Sequence, residues 1–248
     1  MRKYLILAVV ALAAMVVPSI AAAQEQQRIV TKITPTKLDK KKFKPVTIFN
    51  DIITGGNDQA GQNPDQPPSA DRTRVDFSKN LKFDSNAVPN CQGDEAALQN
   101  TTTQLATQIC GSKSIVSIKG AGKTEATVLV DPNPAATGTA PLVVPVVVTA
   151  FNGFENKTLF LHSRADSVNN TSVLIGKLKK GPSGFGSTLD VTIPDLLAGA
   201  ISDFKVTVKA GKFVQGVCKD KTPTYRARTE YENHQPTTAV NTPKCTRK

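Results

Sequence analysis

A pair of apolar segments joined by a short polar stretch constrains the fold of this chain more than any other feature. The first segment, 142–151, is LVVPVVVTAF, and the second, 158–164, is TLFLHSR. The intervening NGFENK contains an Asn-Gly pair, whose residues tolerate turn conformations. The stretch therefore predicts two strands joined by a turn. Because the first segment is apolar at almost every position, we expect its strand to be buried on both faces.

The second segment predicts a strand with two different faces. Since successive side chains of a strand point to opposite sides, Leu159 and Leu161 share one face. The other face carries Phe160, His162 and Arg164. The chain has 2 histidines in all, so His162 is the first residue to consider for acid–base chemistry.

Short strand patterns recur along the rest of the chain, separated by Gly, Pro and Asn. Apolar and polar residues alternate clearly at 188–193 and 204–209, which indicates strands with one face toward solvent. Many short strands with little helix predict an all-β fold, namely an antiparallel β-sandwich of the Ig-like or jelly-roll type. We expect strands at 46–54, one or two within 72–83, and at 114–118, 125–130, 142–151, 158–164, 172–178, 187–193, 204–209, 213–218 and 224–231.

One short helix is predicted between Cys91 and Cys110, where a disulfide would strap it to the rest of the fold. Leu98, Leu105 and Ile109 form an apolar stripe at helical spacing. Three consecutive threonines weaken the middle of the segment, so two short helical turns are the alternative.

The first 23 residues predict a secretory signal peptide, with a retained N-terminal anchor as the alternative. A basic pair precedes an apolar core, and Ala21-Ala22-Ala23 fits a cleavage site. No later segment is expected to span a membrane. A long loop is expected at Gly55–Ala70, of a length typical of either mobile or functional loops. We expect a secreted or cell-envelope protein with the signal peptide at 1–23, an extended basic lead-in at 24–45, a single β-sandwich domain at 46–231 and a polar tail at 232–248, tied back by a disulfide.

Four cysteines in an exported chain predict two disulfides. Three pairings of Cys91, Cys110, Cys218 and Cys245 are possible. Pairing by proximity, Cys91 with Cys110 and Cys218 with Cys245, closes the shortest loops and costs the least entropy. A zinc site is not expected because the chain has no CxxC motif, and no cofactor is expected.

The chain is basic, with 31 Lys and Arg against 20 Asp and Glu and a formal net charge of +11. One interpretation is a solvated surface, which the wide spread of the lysines favours. The other is a site for an anionic cell-envelope polymer. Nucleic acid is a less expected partner, because the chain has no Trp and few Tyr on which bases would stack. The lysines considered for polymer binding are Lys37, Lys40, Lys41, Lys42 and Lys44, together with Lys177, Lys179 and Lys180.

The candidates for catalysis are His162, Arg164, Asp166 and Asp190. His162 and Arg164 share a strand face, Asp166 follows the strand end, and Asp190 is expected on the solvent face of another strand. No nucleophile-elbow motif accompanies them, and a surface or interface histidine is the ordinary interpretation. We therefore expect a non-enzymatic binding or structural module with an unassigned ligand. A secreted hydrolase whose site is assembled only in three dimensions is the alternative.

The chain carries a series of short motifs between about Pro35 and Cys245. They are PTKLDKKKFKPV, PNC with CG after a helical insert, AFNG followed by LFLHSR, SGFGSTLDVTIP, DFKVTV and two late cysteines. In this order the motifs resemble a large family of uncharacterised secreted proteins from soil actinobacteria. The resemblance implies a β-rich exported protein with two disulfides, supports the proximity pairing and carries over no catalytic residue. The chain departs from the family pattern at 111–113, where GSK replaces a more apolar stretch.

Overall fold

The structure is a computed structural model that describes residues 26–55, 66–133, 140–155, 157–194 and 199–247. The predicted signal peptide lies outside the described residues, as does most of the predicted Gly55–Ala70 loop.

The described residues form sixteen strands and two short α-helices. The helices, α1 (Glu95–Leu98) and α2 (Thr103–Cys110), follow the sixth strand. Single 3-10 turns occupy Ser85–Ala87, Ser112–Ser114 and Asp166–Val168. The strands are β1 (Gln26–Thr34), β2 (Lys37–Leu38), β3 (Lys44–Pro45), β4 (Thr47–Gly55), β5 (Ala70–Ser78), β6 (Leu81–Phe83), β7 (Glu125–Val130), β8 (Leu142–Asn152), β9 (Thr158–Ala165), β10 (Asn170–Lys180), β11 (Phe185–Thr192), β12 (Gly199–Val208), β13 (Val214–Gly216), β14 (Tyr225–Tyr231), β15 (Thr237–Asn241) and β16 (Thr246–Arg247).

Eleven strands form one antiparallel sheet in the order β1-β4-β12-β7-β8-β9-β10-β11-β5-β14-β15. The sheet curls until its first and last strands, β1 and β15, lie side by side. There the backbone N–H of Thr31 donates to Oδ1 of Asn241 over 3.0 Å. The predicted all-β class is confirmed. The sandwich type is not confirmed, because the eleven strands belong to one continuous sheet.

The strand–turn–strand predicted from the two apolar segments is formed by β8 and β9. The two strands pair antiparallel, with Ala150 opposite Leu161 and Thr149 opposite His162. The turn requires glycine at Gly153, because a Cβ atom there would lie 2.9 Å from the side chain and the backbone oxygen of Thr158.

The prediction that this apolar strand is buried on both faces holds only for the second half of β8. Thr149 and Phe151 point away from the inside of the sheet and are both 0% exposed. Val143 and Val147 lie on the same outer face and are 66% and 43% exposed. The difference arises because the helices cover the outer face of β8 only near its end.

The two helices form a layer on the outer face of β8, β9 and β10. Asp94 and Thr102 cap the two helices by accepting hydrogen bonds from backbone N–H groups of the first turn. The layer packs on the outward-facing Phe151, Phe160 and Val173. Within the described residues, neither helix is long and apolar enough to cross a bilayer.

The predicted apolar stripe on this segment is partly wrong. Leu98 is fully buried, whereas Leu105 is 44% exposed. The buried positions of α2 are Ala106 and Cys110. The chain leaves the helical conformation between α1 and α2, so the two helices present different faces than one continuous helix would. The alternative of two short helical turns is the one that forms.

Two small sheets close one end of the curled sheet, which we call the closed end. One has the order β3-β13-β6, and the other joins β16 to β2. Inside them, the ring of Phe83 lies 4.7 Å from that of Phe77 and 6.1 Å from that of Phe213, measured between centroids. The closed end lies where β4 begins and β12 ends, since β3 leads into β4 and Val208 pairs with Ile48.

The strands of the sheet extend beyond the bounds 46–231 predicted for the domain. The predicted lead-in, 24–45, contains β1, which pairs with β4 along its whole length. The predicted tail contains β15, which pairs with β14. In β1 every second residue faces the inside, and Ile29 and Thr31 are only 3% and 2% exposed. Residues 26–34 of the lead-in are therefore the first strand of the sheet, and the later β2 and β3 belong to the two small sheets.

Candidate ligand-binding pocket

The four residues considered for catalysis do not come together in one site. His162 and Arg164 share the outer face of β9, as predicted. Asp190 lies on β11, and β10 separates that strand from β9. The contacts of each residue with its neighbours determine its role in the fold.

His162 is sealed beneath the helices, with 0% of its surface exposed. Its Nε2 lies 3.0 Å from Oγ1 of Thr101. The Thr101 hydroxyl donates its own proton to the carbonyl of Leu98 over 2.6 Å, so the imidazole Nε2 must be the donor to Thr101. Burial lowers the pKa of His162, and the positive charges of Arg164 and Lys119 lower it further. The ring is therefore neutral at pH 7 and packs within the helical layer.

Arg164 and Asp166 stabilise the tight connection between β9 and β10. Arg164 Nε donates to Asp166 Oδ1 over 2.9 Å, and Nη1 donates to Thr171 Oγ1 over 3.1 Å. Arg164 Nη2 also donates to Asn169, which adopts a left-handed conformation at φ 49°. These bonds give both residues a structural role at this turn.

Asp190 is covered by two basic side chains. Arg72 donates to both carboxylate oxygens over 2.6 Å, and Lys179 Nζ lies 2.6 Å from Oδ2. Hydrogen bonds from Arg72 and then Lys179 hold the pKa of Asp190 well below its usual range. The prediction of a solvent-exposed Asp190 is wrong, since only 7% of its surface is exposed. Its side chain does point outward, but its ion-pair partners cover it.

The basic lead-in residues Lys37, Lys40, Lys41, Lys42 and Lys44 lie at the closed end, and all five are exposed. The turn between β2 and β3 forms around the carboxylate of residue 39, whose Oδ1 accepts backbone N–H bonds from Lys41 and Lys42 over 2.7 and 2.8 Å. The lysine side chains therefore project from an ordered turn.

Both disulfides of the proximity pairing are formed, Cys91–Cys110 and Cys218–Cys245. The first joins the end of α2 to the segment before α1. The second joins the C-terminal segment to the closed end. In the part of the chain that the structure describes, no three His, Cys, Asp or Glu side chains are grouped so that they could hold a metal ion.

A pocket of about 380 Å³ opens into the interior of the curled sheet. Five neighbouring strands surround it, namely β12, β7, β8, β9 and β10. Side chains that point inward from these strands, with one from the turn after β9, form its lining. The lining residues are Ala126, Val128, Val130, Leu142, Val144, Val146, Ser163, Ala165, Val168, Asn170, Ser172, Leu174, Ile201 and Phe204.

The lining is mainly aliphatic. Its polar side chains are those of Ser163, Asn170 and Ser172, and none of the lining residues is charged. An ionised ligand would have to leave water without gaining an opposite charge, which is strongly unfavourable. The pocket therefore suits a neutral, apolar molecule.

Exposed apolar side chains mark the mouth of the pocket. Leu142 and Val168 both line it and are both 57% exposed. Further inside, Val144 and Val146 are each 8% exposed. The apolar surface is thus continuous from solvent into the sheet, away from the closed end.

A second cavity of about 100 Å³ continues the apolar interior toward the closed end. It shares Leu174, Ile201 and Phe204 with the first pocket. The rings of Phe83 and Phe213 also line it. The interior between the mouth and the closed end is therefore mainly apolar, with Asn50 and a few threonines among its lining residues.

Sequence reasoning missed the pocket because it depends on which strands become neighbours. In LVVPVVV, the lining residues Val144 and Val146 look the same as the exposed Val143 and Val147. The available signal was the small size of Ser163 and Ala165 among larger aliphatic residues. Their position opposite the lining of β8 follows only from the register of the two strands.

Comparisons of the chain with models of protein families, with curated proteins and with solved structures find no match. The resemblance to secreted actinobacterial proteins therefore stays a prediction. Inferences about function rest on the chemistry of the pocket and the surface.

Proposed function

We propose that this protein is a non-enzymatic binding module that holds a small, neutral, apolar molecule inside its curled sheet. The observation that carries the proposal is the uncharged, mainly aliphatic pocket of about 380 Å³. Small-molecule sites typically have volumes of about 300–1,000 Å³. Removal of apolar ligand surface from water contributes about 25 cal/mol per Å² and supplies the main driving force.

The polar groups of the pocket limit the chemistry of the ligand. Ser163 and Ser172 lie opposite each other on β9 and β10. The Ser163 hydroxyl donates to the carbonyl of Leu161 over 3.4 Å and can accept from a ligand, whereas the Ser172 hydroxyl can donate or accept. A hydrocarbon chain or ring system with one neutral polar group, such as a hydroxyl or carbonyl, matches this lining. His162, Arg164 and Asp190 lie on the outer side of the sheet and Asp166 lies in the turn after β9, which favours binding over catalysis inside the pocket.

Two features support an exported or envelope-associated location for this module. The N-terminal residues have the pattern of a secretory signal peptide. The two disulfides are typical of proteins that fold in an oxidising compartment. A module of this kind would carry or shield an apolar molecule outside the cytoplasm.

The proposal is tested by titrating the protein with the neutral, environment-sensitive dye Nile red. Val144→Phe places a larger side chain in the pocket, whereas Val143→Phe makes the same change on the outer face of the same strand. We expect Val144→Phe to weaken dye binding at least tenfold, about 1.4 kcal/mol. Val143→Phe should leave the affinity within about twofold, since the dye is expected inside the sheet.

A thermal unfolding curve of each variant shows that the fold is retained. Ala165→Leu, which fills the same pocket from β9 with a flexible aliphatic side chain, provides a second test if Val144→Phe does not fold. Dye binding at wild-type strength in a folded Val144→Phe or Ala165→Leu variant would contradict the proposal.

A further inference from the structure

Three chain segments that are far apart in sequence bring their basic side chains together at the closed end. The segments are 36–45, 216–222 and 243–247. The backbone N–H of Cys218 donates to the carbonyl of Asp39 over 2.8 Å, and that of Thr246 donates to the carbonyl of Thr36 over 3.0 Å. The Cys218–Cys245 disulfide joins the second segment to the third.

The resulting surface, which we call the basic end, holds nine basic residues and two carboxylates. All eight lysines are exposed, and Arg247 is half-buried, with its guanidinium donating to the carbonyls of Cys218 and Lys219. This small part of the molecule thus carries most of the formal net charge of +11. The basic residues are Lys37, Lys40, Lys41, Lys42, Lys44, Lys219, Lys221, Lys244 and Arg247.

The two carboxylates of the basic end are engaged with the backbone. Asp39 accepts N–H bonds from Lys42 and Lys41, which lower its pKa and keep it ionised. Asp220 accepts from the N–H of Thr222 over 3.2 Å. Among the described residues, no carboxylate lies within the 4.0 Å ion-pair distance of any of the nine basic side chains.

Seven basic residues on other parts of the described surface do have carboxylate partners. Arg72 and Lys179 pair with Asp190, and Arg226 pairs with Asp76 at 2.6 Å. Lysines without an ion pair also occur elsewhere in the described part of the chain, Lys113 and Lys119 among them, but the basic end brings nine such basic side chains from three segments onto one surface. Such a concentration raises the local density of anions and accelerates the binding of an anionic partner.

We propose that the basic end binds a flexible polymer of repeating phosphate groups that carries no nucleobases. Lysine ammonium groups are mobile point charges that suit phosphates without fixed orientation. The aromatic ring within this surface, Phe43, is covered by Lys219, whose Nζ lies 5.3 Å from the ring centroid. Recognition of single-stranded nucleic acid relies on stacking of bases on open rings, so a polymer without bases is the better match.

This site is distinct from the apolar pocket and does not rest on the proposed function. The basic end lies at the closed end, whereas Leu142 and Val168 open the pocket at the opposite end of β8 and β9. A protein attached to a phosphate polymer by its basic end would keep the mouth of its pocket free.

Binding of the full protein to long-chain inorganic polyphosphate tests the proposal. The affinity is measured at 50, 100 and 200 mM NaCl for wild type and for Lys40→Gln/Lys41→Gln/Lys42→Gln. A matched control removes three exposed lysines outside the basic end, Lys113→Gln/Lys119→Gln/Lys123→Gln. We expect wild-type affinity to fall steeply with salt, because binding releases counterions from the polymer.

The first triple variant should bind polyphosphate at least tenfold more weakly and with a shallower salt dependence, and the control should change affinity less than threefold. Equal losses in both variants would overturn the proposal, as would salt-independent binding. Tighter binding of a single-stranded oligonucleotide of equal charge would identify nucleic acid as the partner. Binding to phosphatidylglycerol vesicles without binding to polyphosphate would identify a lipid surface. Nile red affinity, measured on the same variants, should not change.

Discussion

His162 has a fully buried ring that remains neutral because the folded protein lowers its pKa. Its hydrogen bond to Thr101 joins β9 to the loop between the two helices. In the unfolded chain the same side chain has a pKa of about 6.5. Between the two pKa values, His162 binds a proton in the unfolded state but not in the folded state. The free energy of unfolding therefore depends on pH in this range.

The stability that depends on neutral His162 should be fully present above about pH 6.5 and lost as pH falls toward the lower pKa of the folded protein. His162→Gln can still donate to Thr101 but cannot be protonated. We expect the stability difference between wild type and this variant, measured by urea unfolding from pH 7.5 to 5.0, to shrink below pH 6.5.

Asp51 titrates in the same range, because burial and the neighbouring Asp203 raise its pKa to about 6. Asp51 is present in both wild type and His162→Gln, so its contribution cancels when their unfolding free energies are subtracted. If the difference in unfolding free energy between wild type and His162→Gln stayed constant from pH 7.5 to 5.0, the account of His162 would be contradicted.

At the level of single residues, the sequence predicts which face of a strand a side chain lies on better than it predicts which other side chains it contacts. The separation of Leu159 and Leu161 from Phe160 and His162 follows from the period of two in a strand. The burial of Asp190 does not follow from that period. It depends on Arg72, which lies 118 positions away in sequence.

The helical layer and the curled sheet are separate elements with different cores. The layer packs on Phe151, Phe160 and Val173, all of which point outward from the sheet. The pocket lies on the inner side of the same strands. Loosening the layer should therefore affect the pocket only weakly.

Removal of the first disulfide tests this separation. Cys91→Ala/Cys110→Ala opens a loop with a sequence separation of 19 residues, and loss of such a constraint costs about 3 kcal/mol of unfolding free energy. Hydrogen exchange should show loss of amide protection in α2. Nile red affinity should change less than about threefold, because the lining of the pocket is unaltered.

The matched control is Cys218→Ala/Cys245→Ala, which removes the disulfide at the closed end. This variant should leave the amide protection of α2 in hydrogen exchange unchanged. A tenfold loss of dye affinity in folded Cys91→Ala/Cys110→Ala would show that the helical layer supports the pocket, contrary to the separation inferred here.

At the level of elements, the sequence predicts most strands of the sheet but not all of their limits. The recurring short strand patterns place β7 at 125–130 and β14 within one residue of its observed start. The predicted strand at 114–118 is instead a 3-10 turn followed by isolated bridges at Ile115 and Ser117. The sequence predicts a lead-in in place of β1, because charged residues obscure the alternation of Ile29, Thr31 and Ile33.

At the level of the whole molecule, the curled sheet has two ends with different chemistry. Apolar side chains surround the mouth of the pocket at one end, and unpaired lysines lie at the other. The basic end depends on contacts between segments far apart in sequence, as where the N–H of Cys218 donates to the carbonyl of Asp39. Composition alone shows that the chain is basic but cannot show that the charge lies at one end.

The central claim is that a neutral apolar ligand binds inside the sheet, on the inner face of β8 and its neighbours. The most direct measurement is methyl NMR of the valine- and leucine-labelled protein during titration with a neutral long-chain alcohol. The account predicts shift changes at Val144, Val146 and Leu174, with Val143 and Val147 unchanged. Changes confined to Val143 and Val147 would place the ligand on the outer surface and contradict the claim.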